Sequence, residues 1–267
     1  MFKDITLGQY YPADSVLHRL DPRTKFIGTF VFIISVFLFR SFPGYGVATC
    51  FLVSVILLSK IPPKYIFKGL KAILMLLMIT MIFNLFLTPG EVIWSLGVLK
   101  ITKEGVSLSL RMGIRLIYLV VGSSIMTLST TPNQLTNAME ALLRPLNKIH
   151  VPVHEISMMM SIALRFIPIL MEETDKIMKA QIARGADFES GGVVQRVKSM
   201  IPLLVPLFIS AFRRANDLAM AMEARCYHGG EHRTQMKPLK YARRDSIAFG
   251  ILALYFASSI LFRVMGW

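Results

Sequence analysis

Ala180-Gln181-Ile182-Ala183-Arg184-Gly185 is the stretch on which the reading of this chain turns, because it returns as Ala221-Met222-Glu223-Ala224-Arg225-Cys226. Both read Ala-x-x-Ala-Arg-small, and their arginines lie 41 positions apart. Each closes a long, largely apolar run. A break follows each: Glu189-Ser190-Gly191-Gly192 after the first and Tyr227-His228-Gly229-Gly230 after the second. A cation near a helix C-terminus is favoured by the dipole by about 0.3–1 kcal/mol, and glycine after it is an ordinary stop signal. One copy needs no further account. Two copies with the same alanine spacing point to two slim helix ends, each presenting an arginine to another protein.

Behind the two motifs stand two long helices. The first is expected from about Pro152 to Arg184, with the stripe Ile156, Met160, Ala163, Ile167, Leu170 and Ile177. The second is expected from about Val193 to Arg225, with the stripe Ile201, Leu204, Phe208, Phe212, Ala215, Leu218 and Met222. Both have an apolar first half and a charged second half, and each is roughly 50 Å long at about 1.5 Å per residue. A shorter helix precedes them: Thr131 can cap it and Pro132 suits its first position. The apolar halves Ile156–Leu170 and Ile201–Phe212 approach the character of membrane spans. Pro168, Pro202, Pro206 and Arg165 argue instead for helices grazing the inner membrane face. Met158-Met159-Met160, with Met171 and Met178, add the soft surface that suits partners of several shapes.

The rest of the chain is a membrane protein by composition. Of 267 residues, 54% are hydrophobic and 17% charged, where soluble domains carry about a quarter charged. Mean hydropathy is +0.56. Apolar runs at 26–39, 45–59, 72–87, 106–128 and 247–264 read as spans, the first two short for a hydrocarbon layer of roughly 30 Å. Residues 91–105 read as a loop with Trp94 at an interface, and no cleavable signal peptide is expected. With the N-terminus inside, 4 basic residues fall in 1–25, 4 in 60–71 and 16 in 130–245, against Arg40, Lys100, Lys103 and Arg263 outside. The positive-inside rule therefore favours an inner N-terminus and an inner 130–245 segment.

The expected fold is all-α: an integral membrane protein with about five transmembrane helices and a cytoplasmic arm of three amphipathic helices. Its parts are a cytoplasmic segment at 1–25, four spans within 26–129, the arm at 130–245 and a last span within 246–267. Asp21-Pro22 starts the first helix, with Asp21 as cap.

Several chemistries are disfavoured. No Asp or Glu lies in the five runs, which argues against an ion-coupled pump and against an intramembrane hydrolase. There is no Gly-x4-Gly-Lys-Ser/Thr loop, so the chain cannot use ATP alone. Cys226, His228 and His232 form an incomplete metal set and read as a solvated loop. A rival reading, an intramembrane lipid-processing enzyme, would hold a phosphate on Arg111, Arg115, Arg213 and Arg214 but lacks a nucleophile. A channel reading lacks a ring-forming polar series.

On the Ser15–Lys25 stretch, the spans, the arm and above all the two Ala-Arg-small motifs, the chain resembles the transmembrane T component of energy-coupling factor transporters, ABC-type importers of vitamins and trace metals. The resemblance covers nearly the whole chain. It implies a non-catalytic subunit of the cell membrane. Two ABC ATPase subunits, expected as a heterodimer, would receive Ala183, Arg184 and Gly185, and Ala224, Arg225 and Cys226. Those partners would bind the ATP, and no cofactor or metal is expected on this chain, nor any nucleic acid. The resemblance also implies a membrane-embedded substrate-binding S component, for which Met158, Met159, Met160, Ile167, Leu204 and Phe208 are the candidate contacts. Cys226 departs from the family's glycine, which leaves the turn there to be tested.

Overall fold

The computed structural model of the chain describes residues 10–39, 42–96, 99–188, 192–230, 236 and 238–264, with backbone alone at 72, 94–96, 99–100, 193 and 196. The elements follow local signals. Helix α1 (Pro22–Leu38) starts where Pro22 takes the first position and the Asp21 carboxylate accepts the Arg23 amide at 2.9 Å. α2 (Phe42–Ser59) ends before Lys60, whose φ of 54° turns the chain. α3 (Pro63–Leu87) opens on Pro63, and α4 (Lys103–Ser129) on Thr102, whose hydroxyl accepts the Gly105 amide at 3.0 Å. α5 (Pro132–Leu143) begins with a reciprocal box. The Gln134 amide donates to the Thr131 hydroxyl, and the Gln134 side chain accepts the Thr131 amide. A 3-10 turn at Arg144–Ile149 leads to α6 (Val153–Ala183), then α7 (Val193–Glu223) and α8 (Arg243–Val264).

The 91–105 segment is not the expected loop. Val92–Leu96 (β1) pairs antiparallel with Leu99–Thr102 (β2), with Leu96 opposite Leu99. Val92, Ile93, Trp94, Ile101 and Thr102 are β-branched or aromatic, and such residues favour a pleated pair.

The spans also differ in membership. α2, α4, α6 and α8 are long and apolar enough to cross a membrane, and α3 makes a fifth if its halves Pro63–Lys71 and Ile73–Leu87, bent by 59°, count as one. α1, with 17 residues, is shorter than these. α6 qualifies because its first 18 residues outweigh Arg165 and Pro168, which bore against a span in the sequence reading.

Two compact units divide the chain: residues 139–237, and residues 8–138 with 238–267. The second unit holds the apolar core, where Phe32 and Val36 of α1, Ala48 and Leu52 of α2, Val121 and Ile125 of α4 and Tyr255 of α8 meet. The Phe51 and Tyr255 rings stack at 4.2 Å, and the buried Ser35 and Tyr255 hydroxyls share a hydrogen bond of 2.6 Å. α4 lies close on α3 through a row of small residues. A Cβ on Gly105 would stand 2.9 Å from the Leu85 carbonyl, and the Ser109 hydroxyl donates to the Met81 carbonyl at 3.0 Å. A Cβ on Gly113 would press on the Met81 sulfur at 3.0 Å. Small residues spaced four apart let helix backbones approach in this way within a membrane.

Candidate functional site: two matched helix tips

The 139–237 unit ends its two long helices identically. At the first tip the Gly185 amide donates to Ile182 O at 2.9 Å and the Ala186 amide to Gln181 O at 3.0 Å. At the second tip the Cys226 amide donates to Glu223 O at 2.8 Å and the Tyr227 amide to Met222 O at 3.1 Å. Each pair of bonds is a Schellman closure, which requires one residue in the left-handed region. Gly185 takes it at φ 87° and Cys226 at φ 54°. The cysteine therefore makes the glycine's turn, at a cost that the glycine escapes.

Ala183, Arg184, Gly185, Ala224, Arg225 and Cys226 are all exposed. Among the described residues neither guanidinium has a side-chain hydrogen bond or ion pair. The Cys226 carbonyl lies 2.8 Å from the His228 ring Nδ1, which donates to it. His232 lies outside the described residues, as do Glu189, Ser190 and Gly191.

α6 and α7 run antiparallel. Arg214 pairs with Glu173 at 3.2 Å, and Gln181 Nε2 donates to Pro202 O at 3.3 Å. The second bond has a covalent cause. In a regular helix Pro202 O would accept the amide of residue 206, but Pro206 has none. Gln181, inside the first Ala-x-x-Ala motif, supplies the missing donor. With Gln181 beside Pro202 and Glu173 beside Arg214, the chain direction reverses between the two helices, so the two arginine tips lie on opposite sides of these contacts, roughly 36 Å apart along the pair.

The methionine and stripe residues are open. Met159 is 58% exposed, Met160 40%, Leu204 44% and Phe208 60%, while Met158 and Ile167 are half-buried. They do not form one patch. The register of α6 against α7 sets Leu204 and Phe208 beside the C-terminal half of α6, roughly 30 Å along the helix from Met158–Met160. Helical periodicity gave each stripe but not their mutual register. α6 is tied to the end of α5 by Glu140, which binds His154 Nδ1 at 2.8 Å and accepts from the Ser157 hydroxyl at 3.1 Å.

The other unit contains a polar clasp built around the Asp21-Pro22 helix start. Asp245, 2% exposed at the start of α8, accepts the Asp21 amide at 2.8 Å and the Thr24 hydroxyl at 3.1 Å on one oxygen, and the Ala242 amide at 2.8 Å on the other. Asp21 holds Arg23 by two further bonds of 3.0 Å, and the Arg23 guanidinium lies 3.9 Å above the Tyr241 ring. Lys25, 7% exposed, donates to Ser129 O at the end of α4 at 2.8 Å. The Tyr11 amide donates to the neighbouring Leu128 O at 2.9 Å. His18 bridges Tyr11 O and the Ser15 hydroxyl; burial holds its imidazole below the ordinary histidine range, partly offset by the bond to the Tyr11 carbonyl. The only sequence signal for the clasp was a lone acid, Asp245, between polar chain and an apolar run.

Two of the four arginines of the rival reading already have partners. Arg115 donates to Phe39 O, at the end of α1, and to the Tyr45 hydroxyl, each at 3.2 Å, and Arg214 serves Glu173.

Apolar helices together with a helical pair whose matched arginine tips are unpaired among the described residues define an all-α integral membrane protein. The family described as cobalt transport protein matches residues 13–236. The energy-coupling factor transporter transmembrane protein EcfT of Ruminiclostridium cellulolyticum is 53% identical over 261 residues, 98% of each chain. Its counterpart in Clostridium kluyveri is 52% identical over 266 residues, covering 99% of this chain and 98% of its own. That of Bacillus subtilis is 45% identical over 263 residues, again 98% of each. The chain belongs to the EcfT family of energy-coupling factor transporter transmembrane proteins.

Proposed function

We propose that this chain is the non-catalytic coupling subunit of an ABC-type importer, carrying the motion of two ATPase subunits to a membrane-embedded S component that takes up a vitamin or other micronutrient. The observation that carries this reading is the pair of identical closures, each offering an exposed arginine with no partner among the described residues. A slim helix end tipped by a cation fits a groove lined by carboxylates or carbonyls. Two such ends on opposite ends of one helical pair suit two separate subunits, with ATP bound by those subunits. Basic residues concentrated in 1–25, 60–71 and 130–245 support a multi-pass protein of the cell membrane whose N-terminus and arm face the cytoplasm. The exposed stripe of Ile201, Leu204, Phe208 and Phe212 and the separate Met158–Met160 group offer the S component two contacts rather than one.

The test is co-purification of the wild-type chain and the Arg184→Ala/Arg225→Ala chain with the host's ATPases, alongside transport. Each arginine should contribute about 1–3 kcal/mol through a charge-assisted bond, so the double variant loses ATPase subunits and uptake. Retention of both at wild-type levels would falsify the docking role.

A further inference from the structure

Residues 60–71 hold four lysines and no acid, and the nearest acids in the sequence are Asp21 and Glu91. Lys64, Lys68 and Lys71 lie four and three apart on α3, hence on one face. Ile66, 5% exposed, and Leu70 pack into the core from the opposite face. The lysines therefore point away from the protein. All are exposed, and among the described residues none is in a salt bridge.

Beyond the bend, Met75, Met78 and Ile82 recur at the same three- and four-residue spacing and are 74%, 51% and 49% exposed. One outward stripe thus passes from three cations to bare apolar side chains within five turns, with a 59° change of axis between its two halves. An acidic protein surface would match the first half and leave the second uncovered. A phospholipid with an anionic headgroup matches both, headgroup to lysines and acyl chains to Met75 and beyond. We propose that this stripe binds anionic phospholipids in the leaflet it borders, in preference to zwitterionic ones.

The test needs neither the ATPases nor the S component, so it stands apart from the coupling reading. The full-length chain carrying Phe67→Trp, a reporter position 64% exposed beside the lysines, is reconstituted in phosphatidylcholine vesicles. Phosphatidylglycerol or phosphatidylcholine, brominated high on the acyl chain, is then added at equal mole fraction. Quenching is corrected by the parent chain, which keeps Trp94 and Trp267. The brominated phosphatidylglycerol should quench several-fold more strongly, and the difference should vanish in about 1 M salt, where the Debye length is about 3 Å. Lys64→Gln/Lys68→Gln/Lys71→Gln should abolish the preference, and the same three positions changed to Arg should keep it, which separates lost charge from lost fold. Equal quenching by the two lipids, or a preference that survives the glutamine variant, overturns the proposal. So does the absence of quenching by either lipid, which would leave the face to an acidic protein surface.

Discussion

At the scale of the residue, the two tips differ by one side chain in the same backbone turn. Gly185 occupies the left-handed region freely, whereas Cys226 places a Cβ there. A left-handed L-residue costs about 1–2 kcal/mol, so Gly185→Ala should loosen the first closure by about 1 kcal/mol. Cys226→Gly should tighten the second by a similar amount. Hydrogen exchange of the Gly185 and Ala186 amides, and of residue 226 and Tyr227, reads this directly: about fivefold faster in the first variant and about fivefold slower in the second. Unchanged exchange at 226–227 on Cys226→Gly would mean that the turn carries no strain. The motifs themselves were legible because they repeat. That Cys226 keeps the turn was not, since residue type alone favours glycine without requiring it.

At the scale of the element, α7 owes a carbonyl to Pro206, and Gln181 of α6 takes it up. Gln181→Leu should cost about 1 kcal/mol in the wild-type chain and nearly nothing in a Pro206→Ala chain, where the helix supplies its own donor. A double-mutant cycle on thermal unfolding in detergent checks this. An equal cost in both backgrounds would show that Gln181 acts by something other than the proline's vacancy. The helices were readable because their starts are local chemistry: Asp21-Pro22 and Thr131-Pro132 cap as their spacing predicts. The β1–β2 hairpin was hidden because its strands are only five and four residues long, too short for a clear alternating pattern. The register of α6 on α7 was hidden because a stripe says which face is apolar, not what lies opposite.

At the scale of the whole molecule, the least legible feature is the clasp, because Asp21 and Asp245 meet across 224 positions. Asp245→Ala would strand the Asp21 amide, the Thr24 hydroxyl and the Ala242 amide, and leave Lys25 and Arg23 with one carboxylate between them. Loss of about 3–5 kcal/mol is expected, seen as a lower unfolding midpoint in detergent. An unshifted midpoint would show that the clasp is ornament. The long excursion from α4 to α8 leaves at Ser129 and returns at Ala242, and the same short N-terminal stretch grips both places. That arrangement has a consequence for biogenesis. Residues 11–25 leave the ribosome long before α8, and the carboxylate that accepts from Asp21 and Thr24 comes more than two hundred residues later. Until α8 is made, the Asp21 amide and the Thr24 hydroxyl lack their acceptor, and a chain cut short within the arm can never close the clasp. Synthesis of α8 is thus the event that locks Asp21 and Thr24 in place.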